Sequence, residues 1–507
     1  MLHAYRKSGG VAVPVAIGIT SPVWDEPANA REWHAGLSAR GVNFGNQFDT
    51  PIGANQGPWV REQEMIRAAA AGFDWVRIPV RLAAWATENT AGTISPSLWA
   101  LLDPFVTLAL KHFRRVEVEN INYRWLSDQT IEAPETAWSA SVDGHRPRNK
   151  NTVIQLGAHY KDWSTRLGLG PYNEPKWPHY DDGPYWTFVA ETTAAIRAQG
   201  GNNATRAIMG CTTEMGAAFK LLNVPALADG NQVVQAHPYH PFEYTHQGAW
   251  GSPIAAGTFP FGDWVRSAVE MQVRSMALWS KARGIPVVAG EMGVFWRNIF
   301  NDASQVNDNV GRASYYRCAR EACERYGVPL ALFSWGSDFG VTDSRNDASS
   351  RAFLVGMQAA TTGAPTPVTS GPLPRSLAYV TDASKFTAPL GNGSTFDPIE
   401  QEVTHPAGGA SWGDHLAVCD GKPQAGVTYQ IANGGFGGNN AVLSWCNDFA
   451  DVAGTRGGDA PSCPPGFVTY WTIPAGTTIS NTARFLINYA NSDTNAGSTK
   501  LHVTIKP

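Results

Sequence analysis

Two glutamates stand where buried strands would end. Leu167-Gly-Leu-Gly-Pro-Tyr-Asn-Glu-Pro175 is an apolar run closed by Asn-Glu-Pro, and Pro286-Val-Val-Ala-Gly-Glu-Met-Gly293 is a second run that ends on Glu291. Pro175 reads as a stop signal. Cleavage of a glycosidic bond needs such a pair, one carboxyl to protonate the leaving oxygen and one carboxylate to meet the cationic sugar carbon. Glu174 and Glu291 are the candidates. Further polar residues lie within or at the ends of other apolar runs: Arg77 in 74–80, Asn122 closing 115–122, Asn173 beside Glu174, His237 and Tyr239 in 232–239, and Trp335 closing 328–335. Any one of them could be an ordinary rim ion pair or a satisfied core polar group. The whole set at run ends is poorly explained that way.

These side chains meet only if the runs are parallel strands whose ends share one rim. Eight runs begin at 41, 74, 115, 167, 207, 232, 286 and 328, and helix-like stretches lie between them. Helices are expected at 61–71, 96–113, 152–163, 185–198, 264–283, 312–326 and near 350–359. Ser95 is the expected N-cap of the second, with Pro96 at its first position. Eight strand-then-helix units predict a (β/α)8 TIM barrel, whose chemistry sits at the C-terminal ends of the strands. A doubly wound open sheet fits less well, because no glycine-rich nucleotide loop follows the first strand.

The composition changes after residue 360. Thr361 to Pro374 is a Pro/Thr/Gly linker. Beyond it, short alternating runs at 426–431, 467–473, 483–489 and 500–505 are separated by Gly, Asn and Asp turns, the pattern of a β-sandwich. The expected organisation is an N-terminal arm or weak export-signal-like segment (1–30), a catalytic barrel (31–360), a linker (361–374) and an accessory β-sandwich (375–507).

At 507 residues and 43% hydrophobic, the chain is too long for one compact domain. A net charge of −4 gives no basic surplus for nucleic acid. No apolar run is long enough to span a bilayer. Nineteen tryptophans in a chain only 16% charged suit the stacking of sugar rings, although most tryptophans serve the core. None of the six cysteines forms a CxxC, so zinc is not expected, and one disulfide in the C-terminal third is plausible if the protein is secreted. Turns such as Asn491-Ser-Asp-Thr-Asn495 could offer oxygens to calcium, but turn chemistry explains them better.

The segments resemble glycoside hydrolase family five. Asn173-Glu174-Pro175 and Gly290-Glu291-Met-Gly293 look like its paired strand-four and strand-seven signatures. Arg40-Gly-Val-Asn-Phe-Gly-Asn46, Trp75-Val-Arg-Ile-Pro-Val80, His237-Pro-Tyr239 with Tyr244-Thr-His-Gln-Gly-Ala249, and Ser334-Trp335 with Phe339-Gly340 resemble its segments on strands one, two, six and eight. The resemblance runs from about Arg40 to Ala360. It implies that Glu174 is the acid/base and Glu291 the nucleophile. Arg77 and Tyr239 would support Glu291, Asn173 would grip the sugar 2-hydroxyl, His237 would sit beside Glu174, and Trp335 would floor the subsite of the distorted sugar. One position departs from the pattern. Asn122 stands where related sequences usually carry histidine, and an amide can hydrogen-bond a hydroxyl but cannot titrate.

The expected function is a retaining endo-β-1,4-glucanase acting on β-linked polysaccharide or oligosaccharide. The alternatives are the same chemistry on mannan, xyloglucan or mixed-linkage glucan, or a non-catalytic carbohydrate-binding barrel, which only Asn122 favours. Trp125, Trp177 and Trp250 could line the cleft, and Asp338 and Asp343 could be rim acids. The sandwich could bind polysaccharide or brace the barrel. No cofactor, metal, nucleic acid or membrane partner is implied, and a secreted, extracellular monomer is expected.

Overall fold

The computed structural model describes residues 3–8, 11–16, 23–49, 60–87, 89–121, 145–175, 182–249, 251–296, 307–342, 353–363, 395–397, 402–405, 415–418, 423–437, 439–447, 456–491 and 497–507. Where the sequence suggests an arm or an export signal, His3–Ser8 pairs antiparallel with Val11–Ala16.

Eight strands close a parallel barrel: β1 (Gly41–Asn43), β2 (Trp75–Val80), β3 (Arg115–Asn120), β4 (Leu167–Gly170), β5 (Ile208–Cys211), β6 (Gln232–Ala236), β7 (Val287–Met292) and β8 (Leu330–Leu332). They follow one another around the barrel, and β8 closes on β1 through Ala331↔Gly41 and Leu332↔Val42. The alternation of side chains sorts each strand. Val76, Ile78, Val116, Val118, Leu330 and Leu332 join the large core shared with the helices. Trp75, Met209, Val233, Val288 and Ala331 join a separate apolar cluster with Trp33, as a period of two requires.

The helices are α1 (Ala30–Ala35), α2 (Glu62–Ala70), α3 (Pro96–His112), α4 (His145–Tyr160), α5 (Asp182–Arg197), α6 (Asp263–Arg283), α7 (Asn309–Tyr326) and α8 (Met357–Thr362). Ser95 caps α3 by accepting from the Ser97 amide, and Asp308 caps α7 through the Val310 and Gly311 amides. Gly284 and Gly327 end α6 and α7 in the left-handed conformation that spares them a Cβ clash.

Between β5 and β6, where no helix is expected, stand the turn Thr213–Gly216 and the 3-10 segment Ala218–Asn223. Two expectations shift. The helix expected near 350–359 is α8, which starts later because Thr342 bridges Phe353 and Phe353 stacks on Phe73. α8 also runs into the start of the expected linker, which lies outside the described residues beyond Gly363.

Ten further strands form three antiparallel sheets after residue 394. The central one comprises β12 (Thr428–Asn433), flanked by β15 (Val468–Thr472) and β18 (Leu501–Ile505). A four-stranded sheet contains β11 (His415–Val418), β13 (Asn439–Cys446), β14 (Arg456–Asp459) and β16 (Arg484–Asn491). The third pairs β9 (Thr395–Asp397), β10 (Glu402–His405) and β17 (Gly497–Thr499). Tyr429 and Ile431 of β12 pack with Leu443, Trp445 and Phe485, forming a sandwich core. The alternate residues of β12 face the barrel: Ala432 packs on Ala268 and Met271 of α6, and Gln430 donates to the Trp264 carbonyl at 2.6 Å. β12 is therefore covered on both faces. The five described cysteines are free, so the expected disulfide does not form among them, and Cys419 lies outside the described residues.

Candidate active site

The run ends converge on one rim. Arg77, pointing inward from β2, donates to Glu291 Oε1 at 2.6 Å and to Asn43 Oδ1 at 2.6 Å. Tyr239 donates its hydroxyl to Glu291 Oε2 at 3.0 Å. Glu174 Oε1 lies 2.7 Å from His237 Nδ1, and that nitrogen is 3.9 Å from Glu291 Oε2. Asn173 Oδ1 accepts from Arg77, which leaves its amide nitrogen as the donor. Thus Glu174, Glu291, Arg77, Asn173, His237 and Tyr239 share one site.

The two carboxylates sit in different surroundings. Glu291 faces a guanidinium and a phenol and is almost fully buried. Glu174 keeps 22% of its side chain open to solvent, so an incoming molecule can reach it. Burial away from water raises its pKa to about 7, with Arg77 pulling the other way. Burial also pushes His237 down to about 3, so its ring is neutral. Glu174 stands in the left-handed region at φ 41°, a backbone state that costs roughly 1–3 kcal/mol and recurs at functional sites.

Two buried acids beneath the rim were not anticipated. Glu119 of β3 accepts from Arg77 Nε at 2.7 Å and also from Arg77 Nη2 and Gln235. Glu117 lies 3.9 Å from the same guanidinium. Burial lifts both carboxyls, Glu119 to about 7 and Glu117 well above the ordinary range. Gly170 makes room for Glu119, because a Cβ there would lie 2.5 Å from Glu119 Cγ. The signal was present in the sequence: charges alternating with valine in a strand that a barrel buries on both sides must point inside.

Trp335 is a correction. It is 1% exposed and packs edge-on against Phe73 and Phe353, so it cannot floor a sugar subsite. β8 ends at Leu332, and beyond it the alternation of faces no longer holds. Among the described residues, Phe333 is an aromatic just past the end of β8. It is half-buried, with its ring against Gly45 after β1 and 6.0 Å from Phe339. Asp338 is buried, and its carbonyl accepts from the Trp296 amide. Asn122, Trp125, Trp177, Trp250 and Asp343 lie outside the described residues, as does most of Asn491–Asn495.

Oxygens of Glu174 and Glu291 and a nitrogen of His237 lie within 4.8 Å of one another, close enough to hold a metal ion. In this arrangement His237 Nδ1 is engaged by Glu174 Oε1.

A closed parallel barrel with paired carboxylates at its C-terminal rim defines a glycoside hydrolase. The sequence matches the family model for cellulase (glycosyl hydrolase family 5) over residues 37–338, and the chain belongs to that family. It is 30% identical over 200 residues to endoglucanase B of Neocallimastix patriciarum, covering 36% of this chain and 38% of that protein. It is 24% identical over 211 residues to endoglucanase A of Clostridium longisporum, covering 39% and 37%. Each match thus spans well under half of the relative's length. Among solved structures, Cel5A of Thermotoga maritima in complex with mannotriose superposes with a TM-score of 0.56 at 23% identity, covering 66% of this chain and all of that one.

Proposed function

We propose that this chain is a retaining endo-β-1,4-glucanase working by double displacement. The observation that carries the reading is the closeness of the two carboxylates. Oxygens within 4.8 Å suit the spacing of about 5–5.5 Å of retaining enzymes better than the roughly 6.5–9.5 Å between the carboxyls of inverting ones. In the first step Glu291 attacks the anomeric carbon while Glu174 gives its proton to the departing oxygen, leaving a glycosyl ester on Glu291. In the second, Glu174 takes a proton from water, the water oxygen bonds to the same carbon, and the ester breaks. Arg77 and Tyr239 hold Glu291 in line, and the Asn173 amide meets the sugar 2-hydroxyl. Phe333 takes the platform role that the family resemblance implies for Trp335. The chain acts outside the cell, where polymeric glucan is found.

The test is reducing-sugar release from carboxymethyl cellulose, barley β-glucan, mannan, xyloglucan and xylan, with Glu291→Gln as control. NMR of the first product adds the stereochemistry. Glucan activity that is lost in the variant, with β-anomer released first, is expected. An α-anomer first would reject double displacement, and activity confined to another polymer would move the substrate.

A further inference from the structure

The strand-six segment that presents Tyr239 to Glu291 is not held by the barrel alone. It continues through His240 and Pro241 into the single turn Phe242–Thr245. Thr245 Oγ1 donates back to the Tyr239 carbonyl at 2.8 Å, and the Thr245 carbonyl accepts from the Phe295 amide beyond β7 at 2.8 Å. The turn therefore fixes Tyr239 on one side and the strand-seven end on the other. Its outward carboxylate, Glu243, is gripped from the C-terminal sheet. Tyr470 of β15 donates to Glu243 Oε2 at 2.7 Å, and Lys506 Nζ lies 3.0 Å from Oε1. Lys506 also stands 4.1 Å from the Tyr470 ring centroid and 5.1 Å from that of Phe259. Phe467 adds an apolar contact, its ring 5.9 Å from His240 and 4.8 Å from Phe219. Lys506 and Glu243 side chains are only 17% and 23% exposed, so the pair is shielded from competing water.

We propose that the C-terminal sheet is a working part of the catalytic site, in which Tyr470 and Lys506 are positioning residues that hold Glu243 and, through its turn, set Tyr239 against Glu291. This rests on the glucanase reading and goes beyond it, because it gives the accessory region a share in the chemical step. The Tyr239–Glu291 bond is 3.0 Å long, and a displacement of about 1 Å in such a contact is enough to lower a rate severalfold or more.

The experiment uses the full chain and soluble barley β-glucan, below the melting temperature of every variant. Tyr470→Phe/Lys506→Met is expected to lower kcat roughly fivefold to tenfold with KM nearly unchanged, and Lys506→Arg should keep most of the activity. The decisive readout is a cycle with Tyr239→Phe. If the clamp acts through Tyr239, adding the clamp variant to Tyr239→Phe costs little further rate. A clamp variant that melts earlier but turns over as fast as the parent overturns the proposal, as does full additivity with Tyr239→Phe. A parent that cleaves no glucan overturns the functional reading instead, and the clamp with it.

Discussion

Glu174 should impose an alkaline limit on activity, and the size of its effect follows from its burial. A carboxyl at about 7 is half protonated at pH 7, whereas one at its ordinary value would be roughly 0.3% protonated there. The shift thus supplies about 150-fold more acid at neutral pH, worth roughly 3 kcal/mol. In the proposed mechanism the protonated form is the active one, so kcat/KM should fall about tenfold per pH unit above a midpoint near 7. Two neighbours could mimic this limb. His237, held near 3, stays neutral through the assay range. Glu119 is also lifted to about 7, but it is enclosed beneath the rim. The variants separate them. Glu174→Gln should lose roughly 10²–10⁴ in rate on glucan, less on an aryl cellobioside with a good leaving group, and should lose the alkaline limb. Glu119→Gln should keep the limb. The assay is kcat/KM on both substrates from pH 4 to 10. A limb that survives Glu174→Gln, or vanishes in Glu119→Gln, would refute the assignment.

Arg77→Met strands Glu119 and Glu291 without their cation and should destabilise the fold by roughly 3–5 kcal/mol, read as a fall in melting temperature that Arg77→Met/Glu119→Gln partly restores. Phe333→Ala should raise KM on glucan with little change in melting, while Trp335→Ala, which empties a buried site, should cost about 3–5 kcal/mol of stability. Asn122→His should raise activity on β-glucan if the amide weakens binding in the bond-cleaving subsite, and unchanged or lower activity counts against that idea.

The barrel was legible because its strands are apolar runs buried on both sides, and the ends of runs four, six and seven named rim positions. Glu174, Glu291, Arg77, Asn173, His237 and Tyr239 meet for that reason alone. The pattern fails where the chain leaves a strand. Trp335 sits three residues past Leu332, and its direction is set by the pocket of Phe73 and Phe353. Glu117 and Glu119 were missed for the opposite reason: Val-Glu-Val-Glu looks like a strand with a wet face, and only closure of the barrel turns that face inward. The stretch after β5 carried no helical period, and single turns fill it. The grip on Glu243 joins residues more than 220 positions apart, a distance no local pattern spans.

The two covered faces of β12 bear on inheritance. An accessory region tied on by a flexible tether can be exchanged between genes, since each part keeps its own surface. Here Ala432 and Gln430 are fitted to Ala268, Met271 and Trp264, while Tyr429 and Ile431 are committed to the sandwich. A foreign sandwich joined at residue 364 would meet α6 with the wrong shape, and the native one moved to another barrel would carry an exposed apolar flank. Descendants of this protein should therefore keep the pairing, and substitutions along α6 should be answered by substitutions along β12.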